Sequence, residues 1–313
     1  MRLFTNTNLN FIGNRKIGYI ISSALIILGL GSLLFRGGPN YGVDFIGGIS
    51  IRVQFEEIVD VDAVRSSIAE IGYGNAEIKK SSMQNSKGEN VEEFIIRVLS
   101  SAEGNSGEEI LTHLKQQFGE ENVNRRSIDT VGPKIGGELR RGAIYSILLS
   151  MLFILIYVSW RFELRFAVGA IIPLFHDVFI TLGVFVLLDY EITLPVVAAF
   201  LTIVGYSLND TIVVFDRIRE NLKVLRRELY VNIVNRSINE TLSRTIVTSL
   251  TTFIVVFVLF IYGGDVIHNF AFALLIGIII GTYSSIFVAS PILVEWEERK
   301  TKRAGTPITR IKR

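Results

Sequence analysis

Six long apolar blocks, with most of the charged residues lying between them, limit what this chain can fold into. A bilayer core about 30 Å thick requires about 20 mostly apolar residues per helix. Six stretches meet this requirement, at residues 17–35, 142–160, 166–188, 192–215, 245–263 and 267–292. The sequence therefore predicts a polytopic α-helical membrane protein with six transmembrane helices, and it excludes an ordinary soluble enzyme, a coiled coil and a disordered chain.

The first block and the distribution of basic residues predict the topology. Residues 17–35 are longer than the 7–15 apolar residues of a typical secretory signal, and no A-x-A site follows, so they are interpreted as a retained signal anchor. The short connections 189–191 and 263–269 contain no Lys or Arg, whereas those on the other side are basic. By the positive-inside rule, both termini are cytoplasmic. We therefore expect a cytoplasmic N-terminal segment (1–16), an extracytoplasmic domain (36–141), a membrane region (142–292) and a basic cytoplasmic tail (293–313).

Residues 36–141 predict an α+β domain outside the membrane. Ile51, Val53 and Phe55 alternate with polar residues, as in a half-buried strand. Helical spacing of apolar residues follows at 61–71 and 108–118, and further strand-like stretches occur at 76–81, 94–99 and 123–130. The resulting order β-α-β-β-α-β is typical of a ferredoxin-like domain.

Two glycine-rich corners connect this domain to the predicted helices. Glycine in such a corner either supplies a turn with positive φ or forms a hinge that lets the domain move, and both interpretations stay open. The candidate hinge residues are Gly42, Asp44, Gly47, Gly48, Gly132 and Pro133.

Ionisable residues within the predicted spans form the candidate functional site. A charge at the bilayer centre costs roughly 2.5–3.5 kcal/mol on insertion scales, so such residues are rare and are functional hypotheses by default. Asp210 lies in the fourth span, and Arg244 opens the fifth span from the same side, so the guanidinium can reach the depth of the carboxylate. The pair is either a proton switch, in which the arginine approaches or leaves, or a static ion pair. His176 and Asp177 in the third span are either part of a proton relay or a self-satisfied packing pair.

The remaining patterns favour structural roles. Hydroxyl residues one turn apart on the fourth and fifth spans, such as Thr202 and Thr248, together with Gly277 and Gly281 in the sixth, are interpreted as helix-packing positions. The loop 217–244 spaces its apolar residues three or four apart with basic residues between them. It therefore predicts an amphipathic helix on the cytoplasmic face.

Composition narrows the chemistry further. The chain has no cysteine, which excludes thiolate metal sites and a cysteine nucleophile. Its net charge of +2 does not favour a nucleic-acid partner. No metal, cofactor or catalytic residue is predicted, the chain is not expected to be an enzyme, and protons are the expected coupling ion.

Several long stretches in the same order resemble SecF, the smaller subunit of the bacterial SecDF accessory complex of the Sec translocon. They are GVDFIGG (42–48), VGPKIGGELRRGA (131–143), HDV (176–178), YSLNDTIVVFDRIREN (206–221) and RSINETLSRTIVTSLTT (236–252). The resemblance covers essentially the whole chain, including the number of spans and the single large loop.

The resemblance to this family of the resistance-nodulation-division (RND) superfamily implies a fold, partners and site residues. Six helices would form half of a pseudo-symmetric bundle completed by SecD. The complex would use the proton-motive force to assist export of polypeptides through the translocon (SecYEG), with YajC and YidC as further partners, in the cytoplasmic (inner) membrane of the cell and with the large loop periplasmic. The motif residues implied as functional are Asn209, Asp210, Asp216, Arg217 and Arg244. A SecD carboxylate has no counterpart in this chain.

Three other functions stay open on the sequence. An intramembrane aspartyl protease would also place two aspartates on neighbouring helices, but the GxGD pattern of such enzymes is absent. Half of an RND-type small-molecule or lipid exporter would differ in its partners. A non-conducting scaffold would use every buried charge structurally.

Overall fold

The computed structural model describes residues 7–84, 90–98 and 106–303. Residues 1–6 of the predicted N-terminal segment and residues 304–313 of the predicted basic tail lie outside these ranges. The chain divides into two compact units, one formed by residues 1–40 and 145–313 and the other by residues 41–144.

The elements follow one another with short connections. In chain order they are α1 (Arg15–Arg36), α2 (Val43–Ile46), β1 (Gly48–Phe55), α3 (Val61–Glu70), β2 (Glu77–Gln84), β3 (Asn90–Val98), α4 (Ser106–Phe118), β4 (Val123–Val131), α5 (Pro133–Arg161), α6 (Leu164–Leu187), α7 (Leu194–Val224), α8 (Tyr230–Tyr262), α9 (Asp265–Ser284), a π-helical turn (Ser285–Ala289) and α10 (Ser290–Arg303).

Six helices are long and apolar enough to cross a membrane, as the sequence predicts. Their spans are Arg15–Arg36, Lys134–Arg161, Leu164–Leu187, Leu194–Val224, Tyr230–Tyr262 and Ile267–Lys302. The polytopic helical fold with an additional sheet domain is therefore confirmed. The third, fourth and sixth spans are more than half buried within the chain, whereas the second and fifth bury less than a fifth of their residues. The interior of this unit is thus built around α6, α7 and α9.

The prediction of a separate amphipathic helix over 217–244 is wrong. Helix α7 continues to Val224 and α8 already begins at Tyr230, so residues 225–229 are the only break. Ile218 and Ile233, which the spacing places on the apolar face of an interfacial helix, are fully buried in the chain. Two helix ends that pack on each other show the same apolar spacing as a helix lying on a membrane, because both bury one stripe.

Glycines allow the closest helix contacts. A Cβ on Gly29 of α1 would lie 2.8 Å from the Cα of Gly183 on α6, so the two backbones touch. On α9, a Cβ at Gly277 would collide with the side chain of Ile203, and one at Gly281 would lie 3.1 Å from the Cβ of Ser207. The predicted role of Gly277 and Gly281 in close helix contact agrees with this packing of α9 on α7.

The sixth membrane helix contains a π-helical turn at Ser285–Ala289. Such turns insert one extra residue into an α-helix and displace its hydrogen-bonding pattern. Here the hydroxyl of Ser290 donates to the carbonyl oxygen of Ser285, five residues earlier, at 2.9 Å. The helix therefore continues without a break from α9 into α10.

The second unit has the predicted strand and helix order. Its sheet has the strand order β2-β3-β1-β4, and every neighbouring pair is antiparallel. This is the arrangement of a ferredoxin-like β-α-β-β-α-β domain, because each helix connects strands that are not neighbours. Helices α3 and α4 contribute Ile68, Ile110 and Leu114 to a core that also holds Phe55 and Phe94 of the sheet.

The glycine corners are packed against each other within this unit. Gly47 and Gly48 have φ values of 83° and 135°, which favour glycine, so the turn interpretation of this corner is supported. The second corner is helical beyond Gly132, since α5 begins at Pro133. A Cβ on Gly136 of α5 would lie 2.9 Å from the backbone nitrogen of Gly47. Whether Gly42, Asp44 and the other corner residues act as a hinge stays a prediction.

The absence of cysteine makes the predicted topology directly measurable. We expect a single cysteine at Ser66→Cys, on the exposed part of α3, to react with a membrane-impermeant maleimide added to intact cells or spheroplasts. A cysteine at Lys223→Cys, at the exposed end of α7 that is predicted to be cytoplasmic, should react only after the membrane is permeabilised. The reverse labelling pattern would overturn the topology.

The contact between Gly29 and Gly183 predicts a position-specific loss of stability. Gly29→Val places two methyl groups against the α6 backbone, and overpacking of this kind typically costs about 1–3 kcal/mol. Gly31→Val is the matched control, because a Cβ at Gly31 meets nothing within 4 Å. Size-exclusion chromatography of the purified chain after heating should show a lower transition temperature for Gly29→Val alone. Equal transitions for both variants would contradict the backbone contact.

Candidate functional site

Asp177 is the centre of a buried hydrogen-bond network between three helices. Its side chain on α6 is 1% exposed. The hydroxyls of Ser207 on α7 and Ser284 on α9 both donate to Oδ2, at 2.5 and 2.8 Å. Oδ1 lies 2.8 Å from Nδ1 of His176. Both carboxylate oxygens therefore have close partners, which is what a buried carboxyl requires.

A chain of hydrogen bonds extends from His176 to α1. Its Nε2 lies 2.9 Å from the hydroxyl of Ser22, which in turn lies 3.1 Å from the hydroxyl of Tyr283. Tyr283 donates to the carbonyl oxygen of Gly18 at 2.6 Å. Because a carbonyl only accepts, the single hydroxyl hydrogen of Tyr283 is used there. Ser22 therefore donates to Tyr283 and accepts from the N–H at Nε2 of His176.

This direction fixes the charge of the His176–Asp177 pair. With Nε2 acting as a donor, the contact between Nδ1 and Oδ1 needs one further proton, carried either by the imidazole or by the carboxyl group. The first case is an imidazolium with a carboxylate, and the second is a neutral imidazole with a neutral acid. The pair is electrically neutral in both cases, so it places no uncompensated charge in the membrane interior.

Asp210, the second buried carboxyl group, has far fewer partners. It lies on α7 with 2% of its surface exposed. The hydroxyl of Ser249 on α8 donates to Oδ2 at 3.2 Å, and the hydroxyl of Thr282 on α9 donates to Ser249 at 2.8 Å. Among the residues that the structure describes, Ser249 is the one hydrogen-bond donor to this carboxyl group.

Arg244 lies close to Asp210 but is not in contact with it. The two residues are on the neighbouring helices α8 and α7, and the charge of the guanidinium acts on the Asp210 carboxyl group. No nitrogen of Arg244 comes within 4.0 Å of a carboxylate oxygen anywhere in the described parts of the chain. The side chain is instead exposed on the surface of the isolated chain. The structure thus places the predicted pair side by side and separated.

The two carboxyl groups share their supporting helices. Ser207, which donates to Asp177, precedes Asp210 by one turn on α7. Ser284, which also donates to Asp177, lies two residues after Thr282 on α9. Hydrogen bonds at one carboxyl group therefore depend on the positions of the helices that support the other.

Polar side chains also line an exposed face of α7 and α8. The face is formed by Thr202, Asn209, Arg244, Thr248 and Thr251, all exposed in the isolated chain. The threonine hydroxyls donate to carbonyl oxygens within their own helices. Asn209 and Arg244 are too polar to face lipid at little cost, so this polar face is suited to contact with another protein rather than with hydrocarbon.

The predicted motif residue Arg217 belongs to an ion cluster at the ends of α7 and α8. Its guanidinium contacts Glu240 at 2.7 Å and Glu220 at 2.8 Å. Glu240 also accepts hydrogen bonds from Asn221 at 2.7 Å and from Arg236 at 2.9 Å. Asp216, beside Arg217 in the sequence, takes no part in these contacts. The cluster joins the FDRIREN stretch to the RSINET stretch and is separate from Asp210.

The sequence did not reveal three hydrogen-bonding partners of the two aspartates or three residues that extend their networks. The partners are Ser207, Ser249 and Ser284. The residues that extend the networks are Ser22, Thr282 and Tyr283. In the sequence, each of these residues is visible only as a hydroxyl side chain within an apolar block. That pattern does not indicate which neighbouring helix the side chain faces. Within the described ranges, no group of three or more metal-ligating side chains is suited to hold a metal ion.

The chain is similar to proteins of one family over nearly its full length. A family model described as SecD/SecF protein export membrane protein, C-terminal, matches residues 110–299, and a SecD/SecF GG motif model matches residues 32–57. The protein translocase subunit SecF of Rhodothermus marinus is 45% identical over 97% of this chain and 98% of that protein. The same subunit of Magnetococcus marinus is 47% identical over 92% of each.

Solved structures of SecDF are similar in fold. The crystal structure of SecDF from Thermus thermophilus, described as a translocon-associated membrane protein, is 39% identical with a TM-score of 0.82, and it covers 94% of this chain. A SecDF structure in a super-membrane-facing form is 38% identical with a TM-score of 0.70 over 96% of this chain. The chain spans about two fifths of the length of these solved chains, 39% and 40% respectively.

The buried network predicts that Asp177 matters strongly for stability. Asp177→Ala leaves His176, Ser207 and Ser284 without their shared acceptor, and the loss of one partner of a buried ionic group typically costs about 3–5 kcal/mol. The control Asp189→Asn removes an exposed ion pair with Arg36 and should cost less than about 1 kcal/mol. Thermal unfolding of both purified variants, monitored by tryptophan fluorescence, tests this prediction. If the two variants unfold at the same temperature, the network does not stabilise the bundle.

Proposed function

The chain belongs to the SecF proteins of the SecD/SecF family, and from this premise we propose that it couples the proton-motive force to polypeptide export through Asp210. The family is one of multi-pass membrane subunits with a role in protein export, and its solved members associate SecF with SecD. We further propose that this chain lies in the cytoplasmic (inner) membrane, with both termini cytoplasmic and the domain 36–141 on the periplasmic side. There it would act next to the SecYEG translocon and accessory proteins such as YajC and YidC.

The observation that carries the proposal is the contrast between the two buried aspartates. Asp177 has three hydrogen-bonding partners and forms a neutral pair with His176. Among the described residues, Ser249 is the one hydrogen-bond donor to Asp210, and Arg244 is near the carboxyl group without forming an ion pair. A carboxyl group with few donors is stable in either protonation state only if its surroundings rearrange, which is the property a proton switch needs. Asp177 and His176 are better suited to the packing role that the sequence leaves open for them.

Two residues that adjoin Asp210 and Arg244 in the sequence carry buried hydroxyls. The hydroxyls of Thr211 and Thr245 make no hydrogen bond to the residues that the structure describes. Buried groups without partners favour a site whose hydrogen bonds change between states, because a permanent arrangement would leave their desolvation uncompensated.

The polar face defined above supports association with SecD. Arg244 and Asn209 would meet lipid if this chain were alone in the membrane, and a charge in that position is costly. A second six-helix half placed against α7 and α8 would cover the face and supply a carboxyl group that Arg244 could bind. The guanidinium would then have two alternative partners, Asp210 and an acid of SecD.

The proposed cycle uses this choice of partners. With Asp210 ionised, Arg244 is drawn towards it. A proton that reaches Asp210 neutralises the carboxyl group and releases Arg244 to its other partner, so that α7 and α8 repack. One charge moved through 100 mV provides about 2.3 kcal/mol, which is enough to change the populations of two such states about fiftyfold. Helix α5 and the glycine corners connect the membrane unit to the external domain, which would grip and release the emerging polypeptide.

An RND-type exporter of small molecules or lipids is the alternative from the sequence. No contact among the described residues favours it, and the similarity over nearly the full chain is to SecF proteins. Affinity purification from native membranes distinguishes the two, since the proposed function requires that SecD and translocon subunits be recovered and an exporter requires an efflux adaptor.

The proposed role of Asp210 predicts a selective defect. Asp210→Asn keeps the shape of the side chain and its hydrogen bond with Ser249 but cannot exchange a proton. We expect this variant to lose the part of polypeptide export that depends on the proton-motive force while SecF remains at its normal level. The measurement is export of a reporter polypeptide by membranes of a strain lacking its own SecF, with and without an uncoupler.

Asp189→Asn is the control for this measurement, because it removes an exposed carboxylate in a connection between helices. It should export normally. Proton-dependent export at the normal rate by Asp210→Asn, with normal amounts of the protein, would show that the coupling does not run through this carboxyl group.

A further inference from the structure

A cavity of about 560 Å³ lies between the beginning of α6 and α10, away from the aspartates. This volume is within the range of sites for small ligands. The residues that line the cavity change from apolar to polar along its length. Val168 and Ile172 of α6 and Ile292 of α10 form an apolar part, and Trp296, Arg299 and Lys300 of α10, with Glu295, form a polar part.

The change in lining matches the change in polarity across a membrane surface. Val168 and Ile172 lie four and eight residues after the first residue of α6, about 6 and 12 Å along the helix. Arg165, at the start of α6, contacts Glu297 of α10 at 3.2 Å, so the polar part lies at the level where α6 begins. Trp296 is 42% exposed there, and tryptophan is enriched where membrane meets water. The apolar part is therefore at the depth of acyl chains and the polar part at the depth of headgroups.

The charges at the polar end are unevenly compensated. Glu297 and Glu298 of α10 form ion pairs with Arg165 and Arg15, at 3.2 and 3.3 Å. Arg299 and Lys300 are exposed and form no ion pair with any residue in the described ranges. Glu295, in the cavity lining, contributes one negative charge. The cavity wall therefore carries one excess positive charge and two cations available to an outside anion.

We propose that this cavity binds an anionic phospholipid of the adjacent leaflet. The phosphate lies between Arg299 and Lys300, and one acyl chain lies along Val168, Ile172 and Ile292. Basic pockets between membrane helices are suited to such headgroups, and each Lys or Arg near the surface contributes an attraction for anionic lipid. A zwitterionic lipid brings no net charge to the two cations and is bound less tightly. The site is independent of the proton switch, since it shares no residue with it.

Tryptophan fluorescence tests the proposal directly, because the chain has only two tryptophans. Trp160→Phe leaves Trp296, in the cavity wall, as the sole emitter. The full-length variant is reconstituted into phosphatidylcholine vesicles that contain an equal small fraction of brominated phosphatidylglycerol or brominated phosphatidylcholine. We expect brominated phosphatidylglycerol to quench Trp296 with at least about a fivefold higher relative binding constant, which corresponds to one surface cation.

Charge-removing variants separate this site from general attraction to a basic surface. In the Trp160→Phe background, Arg299→Gln with Lys300→Gln should reduce the preference for phosphatidylglycerol to near one. Lys223→Gln, at the exposed end of α7, with Arg227→Gln, in the connection that follows it, removes the same charge outside the cavity and should leave the preference unchanged. Unaltered elution on size exclusion confirms folding, and each single cavity variant should lose part of the preference.

Three results would overturn the proposal. The first is equal quenching by the two brominated lipids. The second is an equal loss of preference in the cavity pair and the control pair, which would mean that the surface as a whole attracts the lipid. The third is removal of the preference by millimolar inorganic phosphate, which would identify a soluble phosphate compound as the ligand. None of these results depends on Asp210, so the proposed function is tested independently of the lipid site.

Discussion

The lack of water in hydrocarbon is the constraint on which the membrane unit depends. Every polar group within the spans must find its partner in the protein, because the lipid offers none. Asp177 meets this requirement through Ser207, Ser284 and His176, and the chain of hydrogen bonds from His176 extends to the backbone of α1. One acidic side chain thus ties α1, α6, α7 and α9 into a single interior. Asp210 meets the same requirement only partly, and that difference between two buried acids is the basis for assigning them different roles.

Close helix packing makes the hydrogen bonds to these buried carboxyl groups possible. Serine is a short donor, so its hydroxyl reaches a carboxyl group on another helix only where the two backbones approach closely. Gly281 leaves room for Ser207 at the contact between α9 and α7, and Gly29 lets α1 lie directly on Gly183 of α6. The same approach brings Ser22 of α1 to His176. Glycine contacts and the polar network are therefore two aspects of one arrangement.

The sequence was sufficient for the fold class and for the two aspartates, but not for their partners. Six apolar blocks define six helices because length and hydropathy determine what can span a bilayer, and alternation determines the strands of the second unit. A span that is apolar on all sides gives no indication of how it is rotated about its axis. Ser249 and Ser284 therefore could not be assigned to Asp210 and Asp177 beforehand. The distance between Asp210 and Arg244 was equally inaccessible, because a long side chain on a known helix can point to several places.

The π-helical turn at Ser285–Ala289 has a consequence for comparing chains of this kind. One residue in an α-helix corresponds to about 100° of rotation. A π-helical turn accommodates one extra residue without rotating the two flanking halves of the helix relative to each other. A chain one residue shorter at this point could therefore form a regular α-helix and keep the residues equivalent to Leu293 and Val294 in the core in which both are buried here. The loss of one residue elsewhere in the same helix, where no extra residue is accommodated, would rotate one half of the helix by that angle. The position of a one-residue gap thus decides whether the core survives it.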